Sequence, residues 1–332
     1  MQFGICFKGD LDPGRTKSIC RQAELAGFEY AWFYDSHILW RDPYPVMAMC
    51  MEHTRNMRFG PCVTNPDVRD WSVAASLFGS LAVQSDGRID ICVGRGDSSR
   101  RMMGFKPASI SRMNDFIAAV KAMCRGERVV YDGCPSGAQL TWSQFDLPVW
   151  IAAYGPKALA AAGEHGDGLV LQLGEPGLCR WFVSQALEAG KKAGRDMSTY
   201  RVMAAAPAWI GPMESCIAQT RWFPAMVGNH VADIVEKYGR DSNLVPASFT
   251  EYIERRKGYD YHEHAKKDAS HLDFVTDDVV ESFSVLGPAE NHVGKLKELE
   301  AAGITQFTIY LMNTEEERIV AEYGDKVIPH FV

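Results

Sequence analysis

The stretch Met57–Trp71, which reads MRFGPCVTNPDVRDW, joins an apolar run to a helix-like segment through a short polar turn. The run passes through Gly60-Pro61 and stops at Thr64-Asn65-Pro66. A helix-like segment from Val68 to Gln84 follows almost without a linker. Enzymes of the α/β class place reactive groups where a rigid strand ends in an exposed turn. This stretch therefore predicts a strand, a turn that carries a site, and a helix.

The same order of strand-like run and helix-like run recurs along the chain. Eight apolar runs predict strands: Phe3–Phe7, Tyr30–Tyr34, Arg58–Val63, Arg88–Val93, Val149–Ala153, Gly168–Leu171, Arg201–Ala206 and Gln306–Leu311. Repeated alternation of strands and helices indicates a parallel sheet with right-handed crossovers. Eight such units favour a closed (β/α)8 TIM barrel over an open sheet. We therefore predict an α/β fold in which residues 1–332 form one domain.

Two segments interrupt this rhythm. Residues 128–147 are rich in Gly, Ser and Thr, which predicts a hairpin or loop insertion. Residues 211–286 carry several aromatic side chains among many charges, and the segment is too long for an ordinary connection. We interpret it as a lid or a partner surface that follows the seventh strand.

The composition excludes some classes of function. The formal net charge of −7 argues against a nucleic-acid binder, which would show a basic face. Nine scattered cysteines, none in a CxxC pair, predict free thiols in a reducing cytoplasm, and no motif has the spacing of a metal site. No segment reads as a signal peptide or a membrane span. We expect a cytoplasmic protein with no metal, membrane or nucleic-acid partner.

Polar residues and glycines collect where the predicted strands end, and this is where barrel enzymes carry their active sites. The candidates are Asp35, His37, Thr64, Asn65, Gly94, Arg95, Gly96, Tyr154, Gly155, Pro156 and Gln172. The strands themselves are apolar, so the fold does not require this concentration. It predicts a site.

His37 and Asp35 are the candidate catalytic pair. Histidine exchanges a proton near neutral pH, and a neighbouring carboxylate raises its pKa. The alternative is a hydrogen-bonded structural histidine, with Asp35 capping the following turn.

Two glycine turns are candidate ligand contacts. Gly94-Arg95-Gly96 would let a flat ligand approach the backbone, with Arg95 near anionic groups, although a tight turn with a solvent-facing arginine is equally open. The third glycine of a dinucleotide fingerprint is missing. Tyr154-Gly155-Pro156 opens a helix, whose free N–H groups and dipole favour a phosphate.

Further motifs occur in order along nearly the whole chain outside the long insertion. They are Asp35-Ser36-His37, Arg41-Asp42-Pro43-Tyr44, Gly60-Pro61-Cys62-Val63-Thr64-Asn65-Pro66 with Arg69, Ser85-Asp86-Gly87-Arg88, Gly94-x-Gly96-Asp97, Gly155-Pro156-Lys157, Gly166-Asp167-Gly168, Gly287-Pro288 and Ala302-Gly303. With these motifs the chain resembles the bacterial-luciferase-like superfamily of flavin and deazaflavin oxidoreductases. It is most similar to the branch that contains methylenetetrahydromethanopterin reductase.

The resemblance implies a barrel with a reduced flavin or deazaflavin over the strand ends. It implies a non-proline cis peptide between Cys62 and Val63 that presses on the ring of the cofactor. By the same analogy Thr64 and Asn65 face the polar edge of the ring, and Gly155 and Pro156 lie near the phosphate. Gly94, Arg95, Gly96, Tyr154 and Gln172 complete the expected cofactor contacts.

Two chemistries fit this resemblance. We predict a monooxygenase in which reduced FMN from a separate flavin reductase reacts with O2 and oxygenates a small organic substrate, because the superfamily contains more users of FMN. The alternative is hydride transfer by the deazaflavin coenzyme F-420, towards which the 60–66 segment leans. A barrel that binds flavin without catalysis is a third possibility. The resemblance also implies a homodimer or higher homo-oligomer.

Overall fold

The computed structural model describes residues 1–238, 246–255, 260–264, 266, 269–270, 272–312 and 314–331. Part of the predicted insertion at 211–286 therefore lies outside the described residues. Ten strands occur in the described ranges: β1 (Gln2–Phe7), β2 (Tyr30–Phe33), β3 (Arg58–Pro61), β4 (Ile91–Val93), β5 (Val149–Ala152), β6 (Gly168–Leu171), β7 (Arg201–Ala206), β8 (Ala208–Ile210), β9 (Val285–Gly287) and β10 (Gln306–Tyr310).

Helices separate these strands along the chain. They are α1 (Pro13–Leu25), α2 (Pro43–His53), α3 (Trp71–Ser85), α4 (Ser98–Arg101), α5 (Ile110–Cys124), α6 (Pro156–His165), α7 (Pro176–Lys192), α8 (Met213–Thr220), α9 (Trp222–Tyr238), α10 (Ala247–Thr250), α11 (Asp277–Phe283), α12 (Ala289–Ala301) and α13 (Glu316–Lys326). Short 3-10 helices span Glu251–Arg255, Tyr261–Glu263 and Ile328–His330. No helix in the described ranges combines the length and the apolar character that crossing a membrane requires.

Eight strands form one parallel sheet in the order β3-β2-β1-β10-β7-β6-β5-β4. The two end strands meet, because Phe59 pairs with Ile89 and Thr64 with Val93 in parallel bridges. The Thr64 N–H donates to the carbonyl of Cys92 at 2.9 Å. The sheet is therefore closed, and the predicted TIM barrel is confirmed.

The eight barrel strands correspond to the eight predicted runs. Every residue of β2 and β6 is buried, as expected for parallel strands covered on both faces. The helix after β3 begins at Trp71 rather than at the predicted Val68. The Asp70 carboxylate accepts from the N–H groups of Ser72 and Val73, which satisfies the free donors of a helix start and fixes it there.

A buried ion cluster around Asp90 fills the end of the barrel opposite the site. This carboxylate accepts from Arg58 Nε at 2.7 Å, from Arg201 Nη1 at 3.0 Å and from the Trp150 indole N–H at 2.9 Å. The bonds join β3, β5 and β7 to the residue that precedes β4. Because a buried charge is tolerated only when it is paired, the cluster fixes how these strands meet.

Two short strands were not predicted. β8 and β9 pair in parallel, with Ala208 opposite Val285 and Ile210 opposite Gly287. They bracket the described part of the 211–286 insertion, which contains α8, α9, α10 and α11. In the other insertion, residues 128–147, Val129 and Ala138 form one antiparallel bridge.

Candidate active site

A cleft lies between the C-terminal ends of the barrel strands and helix α9 of the insertion. It measures about 1330 Å³ out to its open mouth. This volume includes space that is open to solvent, so the cleft is a wide groove above the strand ends.

Most of the residues predicted for the site line this cleft. They are Asp35, Cys62, Val63, Asn65, Gly94, Arg95, Gly96, Tyr154, Gly155 and Gln172. They come from the ends of five strands, as the carboxyl-end rule for barrels requires.

Three predicted residues do not line the cleft. Thr64 is buried in the seam between β3 and β4, where its backbone bonds to Cys92 and Gly94. Pro156 occupies the first position of α6, directly after Gly155. His37 is exposed, in the turn that follows β2. A catalytic role for His37 stays a prediction, and its side chain lies outside the wall of the cleft.

The floor of the cleft is formed by the end of β3. The peptide bond between Cys62 and Val63 is cis, which confirms the expectation drawn from the resemblance. A Cβ at Gly94 would lie 2.9 Å from Cγ2 of Val63, and Gly96 has a φ of +82°. Both positions of the turn therefore need glycine, one for space and one for conformation. The result is a smooth, largely apolar floor.

Asp35 is the buried charge of the site, only 1% exposed. Its Oδ2 accepts from Arg69 Nη1 at 2.6 Å and from the Tyr44 hydroxyl at 3.0 Å. Burial, together with the nearby Asp35 charge, raises the pKa of Tyr44 well above its usual value, so Tyr44 remains a donor. Oδ1 has no hydrogen-bond partner among the described residues. One carboxylate oxygen is thus fixed while the other retains its capacity to accept.

Serine side chains connect the turns at the rim, and sequence reasoning did not single them out. Ser36 Oγ lies 2.6 Å from Ser98 Oγ, and the Asn65 amide donates to Ser99 Oγ at 3.0 Å. These bonds join the turns after β2, β3 and β4. The polar residues next to Asp35 and Gly94 in their motifs are the sequence signal that could have indicated these serines.

Cationic side chains stand at the mouth of the cleft. Arg95 and Lys157 from the barrel and Lys237 from α9 line it. Arg95 Nε donates to the Ala108 carbonyl at 2.5 Å, which holds the guanidinium in place. The predicted role of Arg95 beside an anionic ligand group stays a prediction, and sequence reasoning did not name Lys157 and Lys237 as lining residues.

Helix α9 contributes a third cluster that sequence reasoning missed. His230 Nε2 lies 3.2 Å from Gln172 Oε1, and Gln172 Nε2 donates to the Tyr310 hydroxyl at 2.8 Å. The His230 ring stacks on Tyr154 with centroids 5.0 Å apart and planes inclined by 25°. A polar ligand atom can therefore meet a histidine held in one orientation.

Comparisons with known proteins agree with this architecture. The family model described as luciferase-like monooxygenase matches residues 1–306. The 5,10-methylenetetrahydromethanopterin reductase of Methanolobus tindarius is 29% identical over 345 residues, covering 99% of this chain and 100% of that protein.

Solved structures share the fold. The coenzyme F420 dependent tetrahydromethanopterin reductase from Methanopyrus kandleri gives a TM-score of 0.77 at 24% identity, with 100% of this chain and 99% of that chain covered. A monooxygenase from Streptomyces bottropensis gives a TM-score of 0.69 at 16% identity, with both chains covered completely.

Proposed function

The chain belongs to the luciferase-like monooxygenase family, an oxidoreductase family, and on that premise we propose that it transfers hydride between the deazaflavin coenzyme F420 and a small organic substrate. The observation that supports this proposal is similarity over essentially the full length to the 5,10-methylenetetrahydromethanopterin reductase of Methanolobus tindarius. A solved structure that covers all of the chain is of a reductase with that coenzyme. The alternative from sequence reasoning is thus better supported than the FMN monooxygenase that we predicted, because the monooxygenase among the solved structures is a more distant neighbour.

The residues of the cleft fit such a cofactor. The floor at Val63 and Gly94 is apolar and smooth, which suits a flat ring. Asp35 Oδ1 is a buried acceptor without a partner among the described residues. Arg95, Lys157 and Lys237 at the mouth suit an anionic side chain. When bound, the coenzyme supplies or accepts the hydride, and the protein supplies position and electrostatics.

We assign the predicted cofactor contacts within this proposal. Cys62, Val63, Gly94 and Gly96 support the ring, Asn65 faces its polar edge, and Gly155 with Pro156 at the start of α6 receives a phosphate. Thr64 acts through the backbone of the floor.

The insertion and the assembly also belong to this proposal. Residues 1–332 form one domain, and α9 acts as a lid because its side chains line the cleft opposite the barrel. Direct hydride transfer requires no separate flavin reductase. We propose a homodimer or higher homo-oligomer with a small-molecule substrate and no nucleic-acid partner.

Anaerobic titration of the purified protein tests the cofactor. We expect reduced F420 to bind at least ~10-fold more tightly than reduced FMN, a difference of about 1.4 kcal/mol. Reduced F420 should be oxidised only when methylenetetrahydromethanopterin, a ketone or another acceptor is added, and air should not change the rate. Tight binding of FMN with consumption of O2 would contradict this proposal and support the monooxygenase function instead. Binding without turnover on the whole panel would favour the non-catalytic barrel.

A matched pair of glycine variants tests where the ring lies. In Gly94→Ala the new Cβ would lie 2.9 Å from Val63 Cγ2, whereas nothing lies within 4 Å of a Cβ at Gly294 in α12. We expect Gly94→Ala to weaken coenzyme binding by roughly 10-fold or more, and Gly294→Ala to leave it unchanged. If both variants bound the coenzyme with equal affinity, the ring would not lie on this floor.

A further inference from the structure

One face of helix α9 looks into the cleft. Met226, His230, Asp233, Ile234 and Lys237 line it, at the three- and four-residue spacing of a helix face. Asp233 accepts from Arg101 Nη2 at 2.6 Å, which ties α9 to the end of helix α4. The helix therefore holds His230 at a set position above the strand ends.

The bond to Gln172 determines which nitrogen of His230 carries a proton. Gln172 donates through Nε2 to the Tyr310 hydroxyl, so its Oε1 faces His230. An amide oxygen only accepts. His230 Nε2 is accordingly the protonated nitrogen, and Nδ1 is an acceptor in the neutral ring.

The hydrogen bond between His230 and Gln172 is kept when the imidazole ring changes its charge. Both the neutral ring protonated at Nε2 and the imidazolium donate from Nε2. Nδ1 can therefore gain or lose a proton while the ring stays in place, stacked on Tyr154.

The charges around His230 balance. Three acids and three cations line the cleft with it, namely Asp35, Asp97, Asp233, Arg95, Lys157 and Lys237. The other titratable side chains nearby are His264, Tyr34, Tyr154 and Tyr310, and burial raises the pKa of Tyr154 and Tyr310 well above the usual value. The side chains that line the cleft with His230 therefore carry equal numbers of positive and negative formal charges.

The other histidines are placed less well for this role. His37 is exposed outside the cleft wall. His264 lines the cleft, but its ring packs beside Trp40 with centroids 5.8 Å apart, and it is 9% exposed.

We propose that His230 is the acid–base residue of the site, exchanging the Nδ1 proton with the substrate heteroatom bonded to the carbon that gains or loses hydride. This inference rests on the proposed function. In the reducing direction the carbon takes the hydride, with its electron pair, from the reduced deazaflavin. The carbonyl π bond, or one C–N bond of an aminal, breaks with its pair moving to oxygen or nitrogen. That atom takes the proton from His230, which becomes neutral. The oxidising direction is the reverse.

The first test needs no turnover. In ¹⁵N-histidine-labelled apoprotein, with His230 assigned by its loss in His230→Gln, we expect protonation at Nε2 at every pH and proton exchange at Nδ1 alone. Gln172→Met removes the amide acceptor, so the Nδ1–H tautomer should then appear. A neutral ring protonated at Nδ1 in the wild type, or one whose Nδ1 never exchanges a proton, overturns the proposal.

The second test measures hydride transfer from reduced F420 to methylenetetrahydromethanopterin and to acetone across pH. We expect His230→Gln to lower kcat by roughly 10²–10⁴-fold, to abolish one limb of the pH profile, and to leave the affinity for F420 within a factor of ~3. His165→Gln, at the far end of α6, should behave like the wild type.

The outcomes separate the two proposals. A wild type that binds F420 and transfers hydride, with a variant that retains both limbs of the pH profile, refutes the role of His230 alone. A wild type that does not bind F420 refutes the proposed function. The labelled-histidine titration then still decides whether His230 is an exchanging group.

Discussion

Asp35 and Arg69 form a buried ion pair at the wall of the cleft. The Asp35 side chain is fully buried, and that of Arg69 is 16% exposed. Removing one partner of a buried pair leaves a desolvated charge, which typically costs ~3–5 kcal/mol. We expect Arg69→Met to lower the free energy of unfolding by that amount, measured by chemical denaturation, and to weaken coenzyme binding.

The pair Arg125 and Glu127 is the matched control, because both side chains are exposed, 39% and 53%, at a comparable distance of 2.6 Å. Exposed pairs contribute ~0–1 kcal/mol, so Arg125→Met should change stability little. If the two variants lost the same stability, Asp35 would not be a desolvated charge.

Sequence reasoning could predict cleft residues that directly follow a barrel strand. It could not predict cleft residues that come from other segments of the chain. Asp35, Asn65 and Gly94 stand within a few positions of an apolar run, and the barrel rule then places them together. His230 meets Gln172 across 58 positions, from a helix in a segment without a strand rhythm. His37 follows β2 as closely as Asp35 does, but the turn directs it to solvent, which spacing does not reveal.

The barrel strands were predictable because each is an apolar run buried on both faces, and such runs stand out in any sequence. β8 and β9 have three residues each. So short a run has no periodicity to detect, and its pairing depends on a partner about 75 positions away along the chain. The first residues of elements were predicted less well than the elements themselves: β4 begins at Ile91 rather than Arg88, and α3 begins at Trp71 rather than Val68.

A lysine of another helix binds the carbonyl groups at the end of helix α11. Lys295 in α12 donates through Nζ to the carbonyls of Glu281, Ser282 and Ser284, at 2.7, 2.8 and 2.6 Å. The carbonyls of a last turn have no partner within the helix, and a cation there also offsets the helix dipole. The neighbouring Phe283 carbonyl accepts from Gly174 N–H at 2.8 Å. This corner thus connects the insertion to the loop after Gln172.

We expect Lys295→Met to destabilise this corner by ~2 kcal/mol, the upper range for a cation at a partly buried helix end. Amide hydrogen exchange should accelerate in α11 and in the loop at Gly174 before it does so in the barrel strands. Lys297→Met, an exposed position on the same helix, is the control. Uniform acceleration over the whole chain would show that Lys295 stabilises the molecule globally and has no particular effect on this corner.

The closed barrel places one further titratable group out of reach of water. His292 in α12 is fully buried, and its Nδ1 lies 2.7 Å from the hydroxyl of Tyr323 in α13. Burial lowers the pKa of His292 from 6.5 to about 4, because the charged ring loses its hydration. The unfolded chain therefore takes up a proton near pH 6.5, whereas the folded molecule does so only near pH 4.

The free energy of unfolding should consequently be highest above pH 6.5 and should fall as the pH drops towards 4. The interval between these pKa values corresponds to ~3 kcal/mol. We expect chemical denaturation across pH 4–7.5 to show this decline in the wild type. His292→Gln should start from a lower stability at pH 7.5 and decline less, and His165→Gln, an exposed histidine, should follow the wild type. A His292→Gln variant that kept the wild-type slope would assign the acid sensitivity to other groups.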